Sequence, residues 1–169
     1  DYTAPVTVGY GGSLYIKATL ESGYSFVKWV DGITVNPYRL TNITSDADYT
    51  PTATLQTRTV TLTKPATGIT GFTVSHDSPD GTDGTWTDYA APITVGYGGS
   101  LYIKATLEDG YSFVKWADGM TANPYRLMNI TGDADYTPTA TLKTRTVTLT
   151  KPATGIMGFN VSHDSTDGT

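Results

Sequence analysis

The sequence has no cysteine, few charges and no long apolar run, and each absence removes a class of protein. Without cysteine there are no disulfides, thiolate metal ligands or thiol nucleophiles, while the cellular compartment stays open. No apolar stretch approaches the roughly 18 residues that cross a bilayer as a helix. No basic, apolar and small-residue leader opens the chain, so neither a membrane span nor an unprocessed precursor is expected. Only 16% of residues are charged, and the 11 Lys and Arg are dispersed among 16 Asp and Glu. A net charge of -5 with no basic cluster argues against nucleic acid, whose phosphates demand a cationic face. There is no GxSxG elbow, P-loop or HExxH pair, and no enzyme is expected. Nor does any segment carry the 3.6-residue apolar stripe of an amphipathic helix.

What the chain does have is threonine and repetition. Threonine fills 33 of 169 positions, and this β-branched side chain suits a pleated strand better than a helix. The 12 Tyr, 4 Phe and 3 Trp supply core material that disordered chains lack. Residues 1–82 recur as 88–169 at a constant offset of 87, without a gap and with only 12 differences. Near-identical tandem copies are the mark of a structural or binding unit in an array. The 169 residues are two 87-residue periods less a five-residue linker, so the chain is expected to be a window on a longer array.

Within a period, apolar residues alternate and turn residues punctuate, which predicts an all-β fold. Val60 and Leu62 share one face of a strand over 58–63, and Phe72 and Val74 share one face of a strand over 69–75. Lys64 to Gly68 between them predicts a hairpin. Leu101, Ile103, Ala105 and Leu107 point inward from the next long strand, and Glu108-Asp109-Gly110 predicts a second hairpin. Strands are also expected over 111–116, 123–130 and 136–142, with Thr131 to Asp135 as a turn.

Gly98-Gly99-Ser100 through Leu107, then Gly110-Tyr111-Ser112-Phe113-Val114-Lys115-Trp116, then Asp135-Tyr136 through Leu142, resemble the divergent internalin B-type repeat. That family's pattern is a Gly-Gly-led strand, a GYxFxxW segment and a closing Thr-Ala-Thr strand. The resemblance implies a small, β-grasp-like, non-catalytic module, repeated in tandem in secreted and surface-attached bacterial and archaeal proteins. It also implies a phase: residues 57–143 form a complete repeat, 1–56 are the later part of one, and 144–169 are the opening hairpin of the next. In that phase the two outer pieces together make one unit, and other copies of the repeat become partners, in the same chain or head to tail. The alternative phase is two units, 1–82 and 88–169, joined by 83–87. The functional expectation is a stalk, spacer or filament subunit. An adhesin binding a glycan or protein on a host surface with avidity is the alternative.

Candidate sites are few. Asp77, Asp80, Asp83 and Asp88 sit among glycines and offer oxygens for calcium, although their spacing is not that of an EF-hand and the same residues make solvated turns. No other cofactor is expected. Tyr10 and Tyr97, in glycine-flanked turns, are candidate ligand-binding aromatics. Phe26, Trp29, Phe113 and Trp116 are read as core instead, because thin β domains without disulfides need large aromatics inside. Asn42, Asn129 and Asn160 head glycosylation sequons.

Overall fold

A computed structural model of the chain describes residues 5–76 and 86–161. The protein is all-β, with no helix among the described residues. The strands are β1 (Gly12–Ile16), β2 (Tyr24–Trp29), β3 (Tyr38–Ile43), β4 (Pro51–Leu55), β5 (Thr57–Leu62), β6 (Ile69–Ser75) and β7 (Thr87–Asp88). They continue with β8 (Ile93–Gly96), β9 (Gly99–Leu107), β10 (Tyr111–Trp116), β11 (Tyr125–Ile130), β12 (Ala134–Tyr136) and β13 (Pro138–Leu142).

Strands β5 to β13 form three sheets, ordered β11-β9-β6-β7, β12-β5-β8 and β10-β13. Their inward faces share one core of Val60, Leu62, Ile69, Phe72, Val74, Val95, Leu101, Ile103, Ala105, Trp116, Leu127 and Ile130. β6 is central, lying antiparallel to β9 on one edge and to β7 on the other. Trp116 is fully buried. Its ring lies 6.2 Å from Phe72 and 5.5 Å from Phe113, and its indole N–H donates to the Ala122 carbonyl at 2.9 Å. A buried indole needs such a partner, and the loop after β10 provides it.

Two connections differ from the sequence reading. β5 and β6 do not pair with each other, and neither do β9 and β10. Each link is an arch that carries the chain from one sheet to another, so the expected hairpins over 64–68 and 108–110 are absent. The reason is packing. Both β5 and β6 have a buried face, and crossing between sheets lets both faces close on one core. Gly68 makes the crossing at φ 84°, where a Cβ would stand 2.8 Å from the Tyr111 ring and 2.9 Å from Ala140. A third difference lies at Ala134 and Asp135, expected in a turn. They belong to β12, which runs parallel to β5 with Ala134 opposite Val60 and Tyr136 opposite Leu62.

Residues 5–56 repeat the later part of this arrangement as two separate pairs, β1 with β3 and β2 with β4. Thr144 to Val161 carry no strand, although Thr144–Lys151 and Thr57–Lys64 have the same eight-residue sequence. Identical residues are strand in one place and unpaired in the other, so the neighbouring strands decide, not intrinsic propensity. Val60 is fully buried while its copy Val147 is 82% exposed, and Phe72 is 7% exposed against 47% for Phe159. In dilute solution Phe72→Ala is therefore expected to lower unfolding stability by ~3–5 kcal/mol, and Phe159→Ala to change it by less than about 0.5 kcal/mol. Chemical denaturation of the two variants checks this contrast.

Candidate functional site

The feature with binding character is the unpaired edge of β1 and the apolar surface behind it. Gly12–Leu20 and Gly99–Leu107 are the same nine residues. With β6 alongside, all nine form β9; without such a neighbour only the first five form β1. Tyr102 is 5% exposed against 68% for Tyr15, and Leu14, Ile16 and Ala18 are half-buried where Leu101, Ile103 and Ala105 are buried. An open strand edge backed by apolar side chains is a template for another strand.

The opposite edge of the strand, toward β3, is held in an ordered shape. Asn36 Oδ1 accepts from the Ala18 N–H at 2.9 Å and its Nδ2 donates to the Ala18 carbonyl at 2.8 Å, so the side-chain amide stands in for a strand partner. Asn123 treats Ala105 in the same way, at 2.8 and 2.9 Å. On the other edge of Ala105 lies Phe72 of β6, whereas no strand among the described residues lies there beside Ala18. Beneath, Trp29 is buried at 4% exposure against Phe26, with its indole N–H donating to the Val35 carbonyl. Trp29 thus keeps the hydrogen bond and one ring contact of Trp116 but has no counterpart of Phe72 among the described residues.

A second feature joins the two parts of the chain. Tyr97 is half-buried and covers Gly23, which stands at φ 83° and where a Cβ would run into the tyrosine ring. Gln56 bridges the same place: its N–H donates to the Gly23 carbonyl at 2.7 Å, and its carbonyl accepts from the Tyr97 N–H at 2.8 Å. Its side chain reaches Ser25 at 3.0 Å and takes a hydrogen bond from Arg58 at 2.7 Å, while the Arg58 guanidinium lies 5.2 Å from the Tyr97 ring centroid. Tyr97 is therefore engaged by this joint, whereas its copy Tyr10 is 89% exposed.

The other sequence candidates are not brought together. Phe113 and Phe26 are half-buried beside their tryptophans. Asp88 is exposed on β7, and Asp77, Asp80 and Asp83 lie outside the described residues. Among the described residues no group of three or more acidic or histidine side chains is placed to hold a metal. Asn42 and Asn129 are exposed at φ 54° and 53°, a left-handed conformation that asparagine tolerates, and Asn160 is exposed in the unpaired segment. No helix among the described residues is long and apolar enough to cross a membrane. Sequence reading missed the amide clamps of Asn36 and Asn123, whose only visible signal is the repeated Asn-Pro-Tyr. It also missed the joint, which depends on Gly23 and Tyr97 meeting across the period boundary. Comparison with known protein families, curated proteins and solved structures finds no match to this chain.

Two phenols packed against the core, Tyr125 and Tyr136, are raised by burial. Burial, then the hydrogen bond to Asp118 and that carboxylate's charge, push the Tyr125 phenol up to about 12. A phenol that is harder to ionise when folded contributes stability that is full below the unfolded value of about 10 and is lost as pH rises. Unfolding stability is expected to fall from pH 10 through about 12, together with the ultraviolet titration of Tyr125. Asp118→Asn is expected to move that titration to lower pH.

Proposed function

We propose that the protein is a structural tandem-repeat module of an extracellular surface protein, serving as stalk, spacer or filament subunit, of the kind its resemblance to internalin B-type repeats implies. One observation carries this reading: Tyr97 seated over Gly23, with Gln56 bonded to both, is a packed joint between successive units. A joint with fixed hydrogen bonds sets a distance and an angle, and a repeated joint multiplies both into a defined length. The same contact occupies Tyr97, one of the two aromatics that an adhesin would present, which weighs for the spacer, while Tyr10 stays exposed. The unit proposed is 57–143, whose strands share one core, with 1–56 and 144–169 as parts of neighbouring units. A surface rich in threonine and carrying net negative charge keeps such an array soluble and discourages lateral association.

Chains extended by one, two and four further 87-residue periods are expected to show a maximum dimension, by small-angle X-ray scattering, that grows by a constant increment per period. Gly23→Val made together with its equivalent in every period, which displaces the tyrosine from each joint, is expected to reduce that increment. Growth with the square root of period number in the parent sequence would overturn the spacer reading. Specific retention on a glycan array that Tyr10→Ala abolishes would favour the adhesin.

A further inference from the structure

Resting on the reading of this chain as a structural array, we propose that the open edge of β1 is a docking site for a second copy of the chain, which inserts its residues 144–161. The occupant follows from the repeat. β5 and β6 show how this sequence seats on β8, β9, β12 and the aromatic layer beneath them, and residues 144–161 repeat it, with Met157 and Asn160 in place of Thr70 and Thr73, without a strand partner among the described residues. Donor and acceptor are incomplete in complementary ways. Where the donor's copy packs, the acceptor's counterparts of β8 and β12, residues 6–9 and 47–49, are not strands, although their copies are.

The 87-residue offset fixes the register. Ile69 opposite Leu107, Phe72 opposite Ala105 and Val74 opposite Ile103 become Ile156 opposite Leu20, Phe159 opposite Ala18 and Val161 opposite Ile16. Phe159 then supplies Trp29 with the ring that Phe72 supplies to Trp116. On the other strand, Thr59 N–H donating to Asp133 and the Thr63 hydroxyl donating to Asp135 become Thr146 to Asp46 and Thr150 to Asp48. The donor's arch is already shaped for the crossing. Gly155 stands at φ 87°, like Gly68 at 84°, but a Cβ there meets nothing within 4 Å, whereas at Gly68 it meets Tyr111 and Ala140. Tyr24 and Ala53 are the copies that would close on it.

The donor segment and the acceptor edge are different surfaces, so the contact is heterologous. Each chain that donates still presents its own open edge. Between 169-residue chains growth is head to tail, and it stops where either surface is blocked, a flanking period of the same chain included.

Analytical ultracentrifugation of the 169-residue chain over a range of concentrations tests this. The expected result is a concentration-dependent series of multiples of 18.0 kDa. Phe159→Asp, on a side chain exposed in the single chain, is expected to leave an 18.0 kDa species. Ile16→Lys is expected to do the same from the acceptor side. An equimolar mixture of the two variants retains one intact donor and one intact acceptor and is expected to stop at two chains. Register is read separately: with no native cysteine, Lys17→Cys combined with Asn160→Cys is expected to give an intermolecular disulfide ladder, and Thr19→Cys combined with Asn160→Cys none. A chain that stays at 18.0 kDa at every concentration overturns the proposal, as does association that Phe159→Asp leaves unchanged or a disulfide confined to single chains. The constant length increment of extended arrays can hold while all of these fail, so the two readings fall separately.

Discussion

The pairing of β6 with β9 is the contact on which the other packing depends. It places Phe72 over Trp116, turns Val74 and Ile69 inward, and lets one nine-residue segment extend as strand over its whole length. With β6 comes β5, through the Gly68 arch, and with β5 come β8 and β12 as ordered neighbours. The chain contains its own control. Where the same residues have no β6 beside them, β1 shortens, the counterparts of β8 and β12 are not strands, and Tyr15 is exposed. Burying a side chain such as Phe72 or Val74 is worth ~1.5–3 kcal/mol, and several are buried together or not at all. That makes strand formation here a property of the assembled sheets and not of the segment.

This cooperativity bears on the proposed role. A module whose core closes only when strands from two neighbouring periods meet ties each unit to the next through the chain itself. The joint of Gly23, Gln56 and Tyr97 adds a lateral constraint at the same boundary. Proposed as a spacer, the protein needs no catalytic group; proposed as a self-assembling one, it uses the same edge-to-strand pairing that holds its own middle together.

Much of the fold was legible in the sequence, and the failures have physical causes. Alternation located nearly every strand, and the requirement for bulky residues in a thin core pointed to Trp29 and Trp116, both buried. The hairpins at 64–68 and 108–110 were misread because turn residues report only that the chain reverses. They do not say whether the two strands then pair or lie in different sheets. Ala134 and Asp135 of β12 read as turn in the sequence because Asp133 and Asp135 favour turns. Their carboxylates instead accept hydrogen bonds from Thr59 and Thr63, more than 70 residues away. Tyr10 and Tyr97 stand in the same local sequence, so nothing local separates the exposed ring from the one engaged by the joint. The offset of 87 held the most information, since it carries the observed β6–β9 pairing over to the register proposed for the unpaired copy.

The central claim is that a neighbouring strand, and not the segment's own sequence, decides whether TRTVTLTK becomes strand. Residue-resolved amide exchange by NMR on the two copies tests it most directly. In dilute solution Val60 and Leu62 are expected to be protected, and Val147 and Leu149 to exchange freely, with protection of the second pair appearing only as chain concentration rises. Equal protection of the two copies in dilute solution, or free exchange at Val60 and Leu62, would contradict the account.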